Sequence, residues 1–301
     1  PDLTFVATAS AVIHCGATPI LADVEEDTMN LDPLSIRRSL TKKTKAIIPV
    51  HFAGRICKIR EIIKISKQND LKVIEDCAHA LGSRIGKKHA GTFGDVGCFS
   101  FYPTKNFTTI EGGMIITNSK QISNHTKSTR NHGITRSLDN RFSSGKPWEY
   151  DIEESGFNFR LDEIRSALGL SQMKRLDKSN DLRKKASEYY TSQLSNVKGI
   201  ITPINSKNNE NSFHLYIIRI TKDFPISRDI LFKKLLNKGI RTSVHYKPLN
   251  QFSLFKKMAK SYDKLKISNM LYDEILSLPM YPTIRKSDQN YVIKSIKNEI
   301  I

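Results

Sequence analysis

The sequence predicts an α/β protein, a mainly parallel sheet flanked by helices with a smaller C-terminal α/β unit behind it. Three observations carry that reading. Between residues 1 and 120, short apolar runs rich in β-branched residues alternate with segments of helical spacing, the pattern of a parallel sheet covered on both faces. Polar residues close two of those runs, His51 after Ile47-Ile48-Pro49-Val50 and Asp76 after Val73-Ile74-Glu75, at the strand ends where such sheets hold their ligands. From about residue 179 the composition turns more polar and a shorter strand–helix series begins. The expected division is 1–178 for a large domain and 179–301 for a small one.

In chain order, Phe5 to His14 reads as helix and residues 18–24 as a short strand. Leu34 to Leu40 reads as helix, Lys45 to Val50 as a buried strand, Ile59 to Gln68 as helix and Leu71 to Asp76 as the next strand. Val96 to Phe101 has strand character and is stopped by Pro103. A Glu-Gly-Gly turn at 111–113 then opens the strand Met114 to Thr117. Residues 121–160 read as irregular, and 135–150, polar with scattered glycine and serine, as a mobile loop. A long helical pattern runs from Asp162 to Leu194. The second unit should hold a strand at 213–220, a helix at 228–237, a strand at 240–246 and two further helices.

Length and charge narrow the function. A chain of 301 residues has room for a substantial core. No apolar run approaches the ~18 residues needed to cross a bilayer, and no secretory leader is seen. The chain opens on Pro1, not Met, and is expected to be a cytoplasmic protein whose own beginning lies upstream. Cys15, Cys57, Cys77 and Cys98 are widely spaced with no Cys/His cluster, so neither a metal site nor a disulfide framework is expected, and all four thiols read as packing residues. The net charge of +18 is spread along the chain with no nucleic-acid motif beside it. A nucleic-acid partner is therefore not expected, although a nucleotide-linked substrate would also profit from a positive field.

Two residues stand out chemically. Lys105 lies in Ser100-Phe101-Tyr102-Pro103-Thr104-Lys105-Asn106-Phe107-Thr108-Thr109-Ile110-Glu111-Gly112-Gly113, an apolar and hydroxyl-rich setting. A lysine held off the surface loses its proton readily and can form a Schiff base. By itself it also suits an ordinary loop lysine. Asp76 ends an apolar strand, where a carboxylate needs a partner, yet alone it also suits a helix N-cap.

Together the segments resemble the DegT/StrS family of sugar aminotransferases, pyridoxal-phosphate (PLP) enzymes of transferase fold type I. The likeness rests on the Lys105 block, on Glu75-Asp76-Cys77-Ala78-His79-Ala80-Leu81-Gly82, on Pro1-Asp2-Leu3-Thr4-Phe5-Val6-Ala7-Thr8, and on Gly156-Phe157-Asn158-Phe159-Arg160. The resemblance implies that Lys105 carries pyridoxal 5'-phosphate, Asp76 holds its ring nitrogen, His79 lies against its ring oxygen, Ser100 meets its phosphate and Phe5 stacks on its ring. It implies that Asn158 reaches the neighbour's phosphate across a homodimer with shared active sites. His51, His132, Arg160, His245 and Tyr246 become candidates for substrate contact, each equally suited to a structural role. Pro147-Trp148-Glu149-Tyr150 and Ala167 to Gln172 look closest to enzymes making nucleotide-linked 4-amino-4,6-dideoxy sugars, those of the pseudaminic acid pathway included. The implied reaction moves an amino group from an amino acid, glutamate by analogy, to a nucleotide-linked keto-sugar in surface polysaccharide or glycan biosynthesis.

One departure matters. The family carries about fifty more residues before the position of Pro1, including a turn whose N–H groups receive the phosphate. The chain is thus expected to be a fragment, and to bind PLP poorly when expressed alone. Two rival readings are a sugar dehydratase of the same family, which has histidine in place of Lys105, and a non-catalytic regulatory or binding homologue.

Overall fold

A computed structural model describes residues 1–134, 142–143, 146–204 and 209–300, with backbone alone at 209–210. The calls on 135–141 and 144–145 lie outside the described residues. Helix α1 (Ala7–His14) leads to the two-residue strand β1 (Ile20–Leu21) and helix α2 (Pro33–Ser39), which Asp32 caps by accepting from the Leu34 and Ser35 N–H groups. Strand β2 (Ala46–Ile47), helix α3 (Ile59–Gln68) and strand β3 (Lys72–Asp76) follow. After a small hairpin of β4 (Arg84–Ile85) and β5 (Lys88–His89) come β6 (Val96–Ser100) and β7 (Gly113–Ile116).

Strands β2, β3, β6 and β7 lie side by side in that order. The first three are parallel, with Ile47 opposite Val73 and Asp76 opposite Cys98, and β7 returns antiparallel with Gly113 opposite Ser100. The alternation Val73-in, Glu75-in is what a strand period of two dictates. Against this sheet α3 lays Ile59, Ile62 and Ile65, one turn apart and all buried with Ile47, Ile56 and Val73.

The stretch expected to be irregular holds a helix, α4 (Lys120–Thr129). None of its residues is buried, so no apolar stripe advertises it. Ser119 caps its start, and Thr126 and Thr129 bond back to the carbonyls of Ile122 and His125. The single long helix expected from 162 to 194 is two, α5 (Glu163–Met173) and α6 (Leu176–Leu194). The break lets them serve different neighbours: Gly169 of α5 faces Thr109 and Phe107, whereas α6 begins with Leu176 against Phe101 and Phe107 and ends with Tyr190 and Leu194 in another core. The expected boundary at 178 falls inside α6.

That other core belongs to the C-terminal part. Strands β8 (Ile200–Ile201) and β10 (Tyr216–Ile220) form an antiparallel sheet with β12 (Ile275–Leu278), β10 in the middle. The short β9 (Asn209–Glu210) pairs instead with β4. Helices α7 (Arg228–Asn237) and α10 (Lys286–Lys297) pack with α6 around Tyr216, Ile218 and Leu276. Residues 240–246, expected as a strand, contribute only one bridge, Ser243 to Ser277. Two shorter helices, α8 (Ser253–Met258) and α9 (Lys266–Glu274), flank β11 (Lys260–Ser261), which pairs in parallel with β1.

The two parts are joined by buried charge as well as by apolar contact. Asp23 accepts from the N–H groups of Ile267 and Ser268 at 2.8 Å each, capping α9 from the other end of the sequence. Asp2 accepts from the Ser268 hydroxyl and the Asn250 N–H. Buried Arg219 spans Glu26 and Glu274 at 2.8 Å each. Among the described residues, no helix is long and apolar enough to cross a membrane. Cys57 and Cys77 are buried, but Cys15 is exposed at the end of α1 and is no packing residue. Replacing Asp23 by Ala strips two helix N–H donors of their acceptor and should cost about 2 kcal/mol of stability, read as a lowered urea midpoint at unchanged slope.

Candidate active site

The site begins with two adjacent carboxylates that face opposite ways. Glu75 is wholly buried. Its Oε1 accepts from the N–H groups of Phe93 and Gly94 (2.7 and 2.6 Å), and its Oε2 accepts from the Gly91 N–H (2.9 Å) and pairs with His51 Nε2 (2.8 Å). The 91–94 loop reaches Glu75 because Gly97 lets it lie on β6; a Cβ there would stand 2.4 Å from the Gly91 Cα. Burial alone would raise the Glu75 pKa, but the bonds from His51 and the loop N–H groups outweigh it and hold the carboxyl below its ordinary 4.5.

Asp76, one residue on, is therefore turned to the other face, at the carboxyl end of β3. Its Oδ2 accepts from the Thr8 hydroxyl at 2.8 Å and its Oδ1 from the Ala78 N–H at 3.1 Å. Thr8 in turn lies 3.1 Å from the Thr4 hydroxyl. Lys105 follows the turn after β6 and is half-buried. Desolvation lowers its pKa below 10.5, and the nearby Asp76 charge works against that shift. The Lys105 charge is felt by His79, His214 and His245, whose pKa values burial and Lys105 depress, that of His245 to about 4. Lys105 and Asp76 thus share one region with a set of neutral imidazoles.

Those imidazoles are held by specific contacts. The Ala53 N–H donates to His79 Nδ1 at 3.3 Å, and His79 Nε2 meets the Tyr246 hydroxyl at 3.1 Å. His214 lies on the His79 ring, centroids 4.4 Å apart, and its Nδ1 is 3.0 Å from Asn106 Oδ1. Asn106 also donates to the Ser212 carbonyl and to Asn180, so the residue after Lys105 is anchored on three sides. Phe5 stands 5.8 Å from Tyr246 with 56 % of its surface exposed. His245 contacts the Ser277 hydroxyl through Nδ1, and Ser100 ends β6.

Other expected residues are placed elsewhere. His51 is fully buried beneath the sheet, with Nε2 on Glu75 and Nδ1 accepting from the Cys57 N–H. Both ring nitrogens are taken, so the substrate contact considered for it is corrected to a structural role. His51, Glu75 and Cys77 offer ligand atoms within 4.8 Å of one another, yet the Glu75 oxygens are already bonded and burial pushes the Cys77 thiol up, keeping its proton. His132, Asn158 and Arg160 are exposed and bond within their own segment: the His132 N–H donates to the Phe157 carbonyl and Arg160 Nε to Asn158 Oδ1. A cavity of about 510 Å³ lies between α1, β1 and β2 and includes Pro1 and Thr8 in its lining.

Sequence reasoning missed Thr8, Asn106 and His214. Thr8 was in view within the Pro1–Thr8 segment, but nothing local says that its hydroxyl meets a carboxylate 68 residues away. His214 is a buried polar residue whose partners come from 79 and 106.

A desolvated lysine and a strand-end carboxylate on a mainly parallel sheet, walled by neutral rings, suit an α/β enzyme that works through a carbonyl cofactor. Residues 1–297 match the DegT/DnrJ/EryC1/StrS aminotransferase family, and the chain belongs to it. It is 34% identical over 300 residues to the spore coat polysaccharide biosynthesis protein SpsC of Bacillus subtilis, covering 98% of this chain and 77% of that one. It is 32% identical over 293 residues to a UDP-4-amino-4,6-dideoxy-N-acetyl-beta-L-altrosamine transaminase of Campylobacter jejuni, covering 96% and 75%. The fold superposes on Helicobacter pylori PseC, an aminotransferase involved in the biosynthesis of pseudoaminic acid, with a TM-score of 0.91 at 30% identity, covering 99% of this chain and 78% of that one. The chain is accordingly a PLP-dependent sugar aminotransferase of transferase fold type I.

Two outcomes follow from the electrostatics. Because Glu75 titrates below its unfolded value of 4.5, the stability it contributes is complete above that value and is lost as pH falls through the folded pKa. Glu75→Gln should lower the melting temperature at pH 7 and flatten its decline as pH falls below 4.5. The Lys105 amine should be trapped by an aldehyde and borohydride with a pH midpoint below 10.5. Since Asp76 raises that midpoint, Asp76→Asn should move it further down.

Proposed function

We propose that this aminotransferase moves an amino group from L-glutamate to a nucleotide-linked 4-keto-6-deoxy sugar, in the cytoplasm, for a surface polysaccharide or related glycan. The observation that carries the site assignment is the shared neighbourhood of desolvated Lys105 and Asp76 among uncharged histidines. The sugar class is supported by the Campylobacter and Helicobacter relatives, whose names place them on amino-sugar chemistry.

PLP, when bound, supplies a carbonyl for an amine and a protonated ring that draws electrons from the substrate carbon. The residues present fit it. Lys105 gives up its proton more easily than a surface lysine, Phe5 offers an exposed flat ring, and Asp76 retains acceptor capacity beyond its bonds to Thr8 and Ala78. In this reading Lys105 Nζ would hold the cofactor's aldehyde and, once displaced by the substrate amine, would be free to take and return the substrate proton. Asp76 would hold the ring-nitrogen proton, His79 would stand on the ring-oxygen side, and Ser100 would meet the phosphate. Residues 1–178 act as the cofactor-binding domain and 179–301 as the small domain, which brings His214, His245 and Tyr246 to the site.

The occupant proposed for the exposed apolar face is a second copy of the chain. Met114 and Ile115 on β7, stacked Phe157 and Phe159, and Ile164 and Leu170 on α5 are all about half or more exposed. Asn158 and Arg160, joined by a hydrogen bond, alternate along the chain with the paired rings. Across it Asn158 would meet the other subunit's phosphate, and His132 and Arg160 its substrate.

The test is amine formation on a panel of UDP-, GDP- and dTDP-linked 4-keto-6-deoxy sugars with PLP and L-glutamate, followed by mass spectrometry. One sugar should be aminated, and Lys105→Ala should abolish both product and bound-cofactor absorbance. A PLP-loaded enzyme that aminates none of the panel overturns the sugar assignment.

A further inference from the structure

Two asparagines and a histidine form a run of hydrogen bonds beside Lys105, and the carbonyl groups at its ends fix the direction of every link. The Leu81 carbonyl can only accept, so the Asn180 amide nitrogen faces it at 3.2 Å and Asn180 Oδ1 points the other way. The Ser212 carbonyl likewise can only accept, and it takes the Asn106 amide nitrogen at 2.6 Å. The same nitrogen gives its second hydrogen to Asn180 Oδ1 at 2.8 Å. Asn106 Oδ1 is therefore the end turned to His214 Nδ1, 3.0 Å away. An amide oxygen has no hydrogen to give, so Nδ1 carries the proton.

The rest of His214 is held just as closely. Its N–H donates to the Ala53 carbonyl, its own carbonyl accepts from Arg183, and its ring lies on that of His79 with centroids 4.4 Å apart. The titratable groups felt at the ring are His79, Lys105, Arg183 and His245. Burial and these neighbours keep it neutral at pH 7, and a neutral ring with its proton on Nδ1 has a bare Nε2. Among the described residues nothing donates to that nitrogen, and it is not one of the enclosed atoms left without a partner. It opens on the space shared with Lys105, whose Nζ in turn has no hydrogen-bond acceptor among the described residues. We infer that His214 Nε2 is the hydrogen-bond acceptor for the Lys105 ammonium, and that Asn106 is the positioning residue that enforces the tautomer this requires. This rests on the assignment of Lys105 as the reactive amine and not on which carbonyl compound it meets. The imidazole orients the amine hydrogens and takes no proton itself.

The test uses the full-length protein freed of cofactor. ¹⁵N NMR of the wild type should show the His214 proton on Nδ1. Lys105 is then trapped with formaldehyde and borohydride over a pH series, its modification read by peptide mass spectrometry. His214→Asn keeps a donor towards Asn106 but has no acceptor at the Nε2 position. It should lower the Lys105 midpoint by about one pH unit, the size of one hydrogen bond to a charged group. His214→Gln, which places an amide oxygen near that position, should restore most of the loss. Asn106→Ala should lower the midpoint by a similar amount. His214→Asn/Asn106→Ala should lower it no further than either single change, even though the double variant melts earliest. A proton on Nε2 in the wild type, or an unmoved midpoint in a folded His214→Asn, overturns the inference. A wild-type Lys105 that traps no aldehyde overturns instead its assignment as the reactive amine, and the proton position then decides the Asn106–His214 pair alone.

Discussion

The structure depends on one buried carboxylate. Glu75 has no exposed surface, and its two oxygens receive three backbone N–H groups and an imidazole. An ion taken out of water survives only with such compensation. What it gains for the fold is direction. Neighbouring residues of a strand face opposite ways, so pinning Glu75 beneath β3 commits Asp76 to the face above it. The loop that supplies the N–H groups can approach only because position 97 carries no side chain.

Above the sheet the constraint is the reverse. Lys105, His79, His214 and His245 are brought together where water is scarce, and desolvation is the first cause of every pKa depression among them. A cluster of four basic groups would repel itself if charged. Kept neutral, the imidazoles act as hydrogen-bonding surfaces, and the one amine is left poised to react. Asn106 ties this cluster to the chain segment that carries Lys105, with bonds to His214, Asn180 and Ser212.

The same logic spans the two parts of the molecule. Asp2 and Asp23 receive N–H and hydroxyl groups from 250 and 267–268, and Arg219 bridges Glu26 and Glu274. These bonds hold the C-terminal part against α1 and β1, and so bring Tyr246 and His245 over the strand ends of the first sheet. The site is composite: its carboxylate and lysine come from one half, and much of its wall from the other.

Periodicity was enough for the sheet-and-helix alternation and for α3 with its isoleucines a turn apart, because each is written in consecutive residues; Lys105 and Asp76 stood out only through the family segments around them. Periodicity was not enough for α4, which buries nothing and so shows no stripe, or for the break between α5 and α6, which is decided by which core each helix meets. His51 and Asp76 read alike as polar residues closing apolar strands, yet one is buried against Glu75 and the other opens to Lys105. That difference was decided by the pairing of strands and the approach of the 91–94 loop. The amino-acid order determined which groups the protein owns; only packing, by setting burial and hydrogen-bond partners across tens to hundreds of residues, decided which of them keep a proton and which face the site.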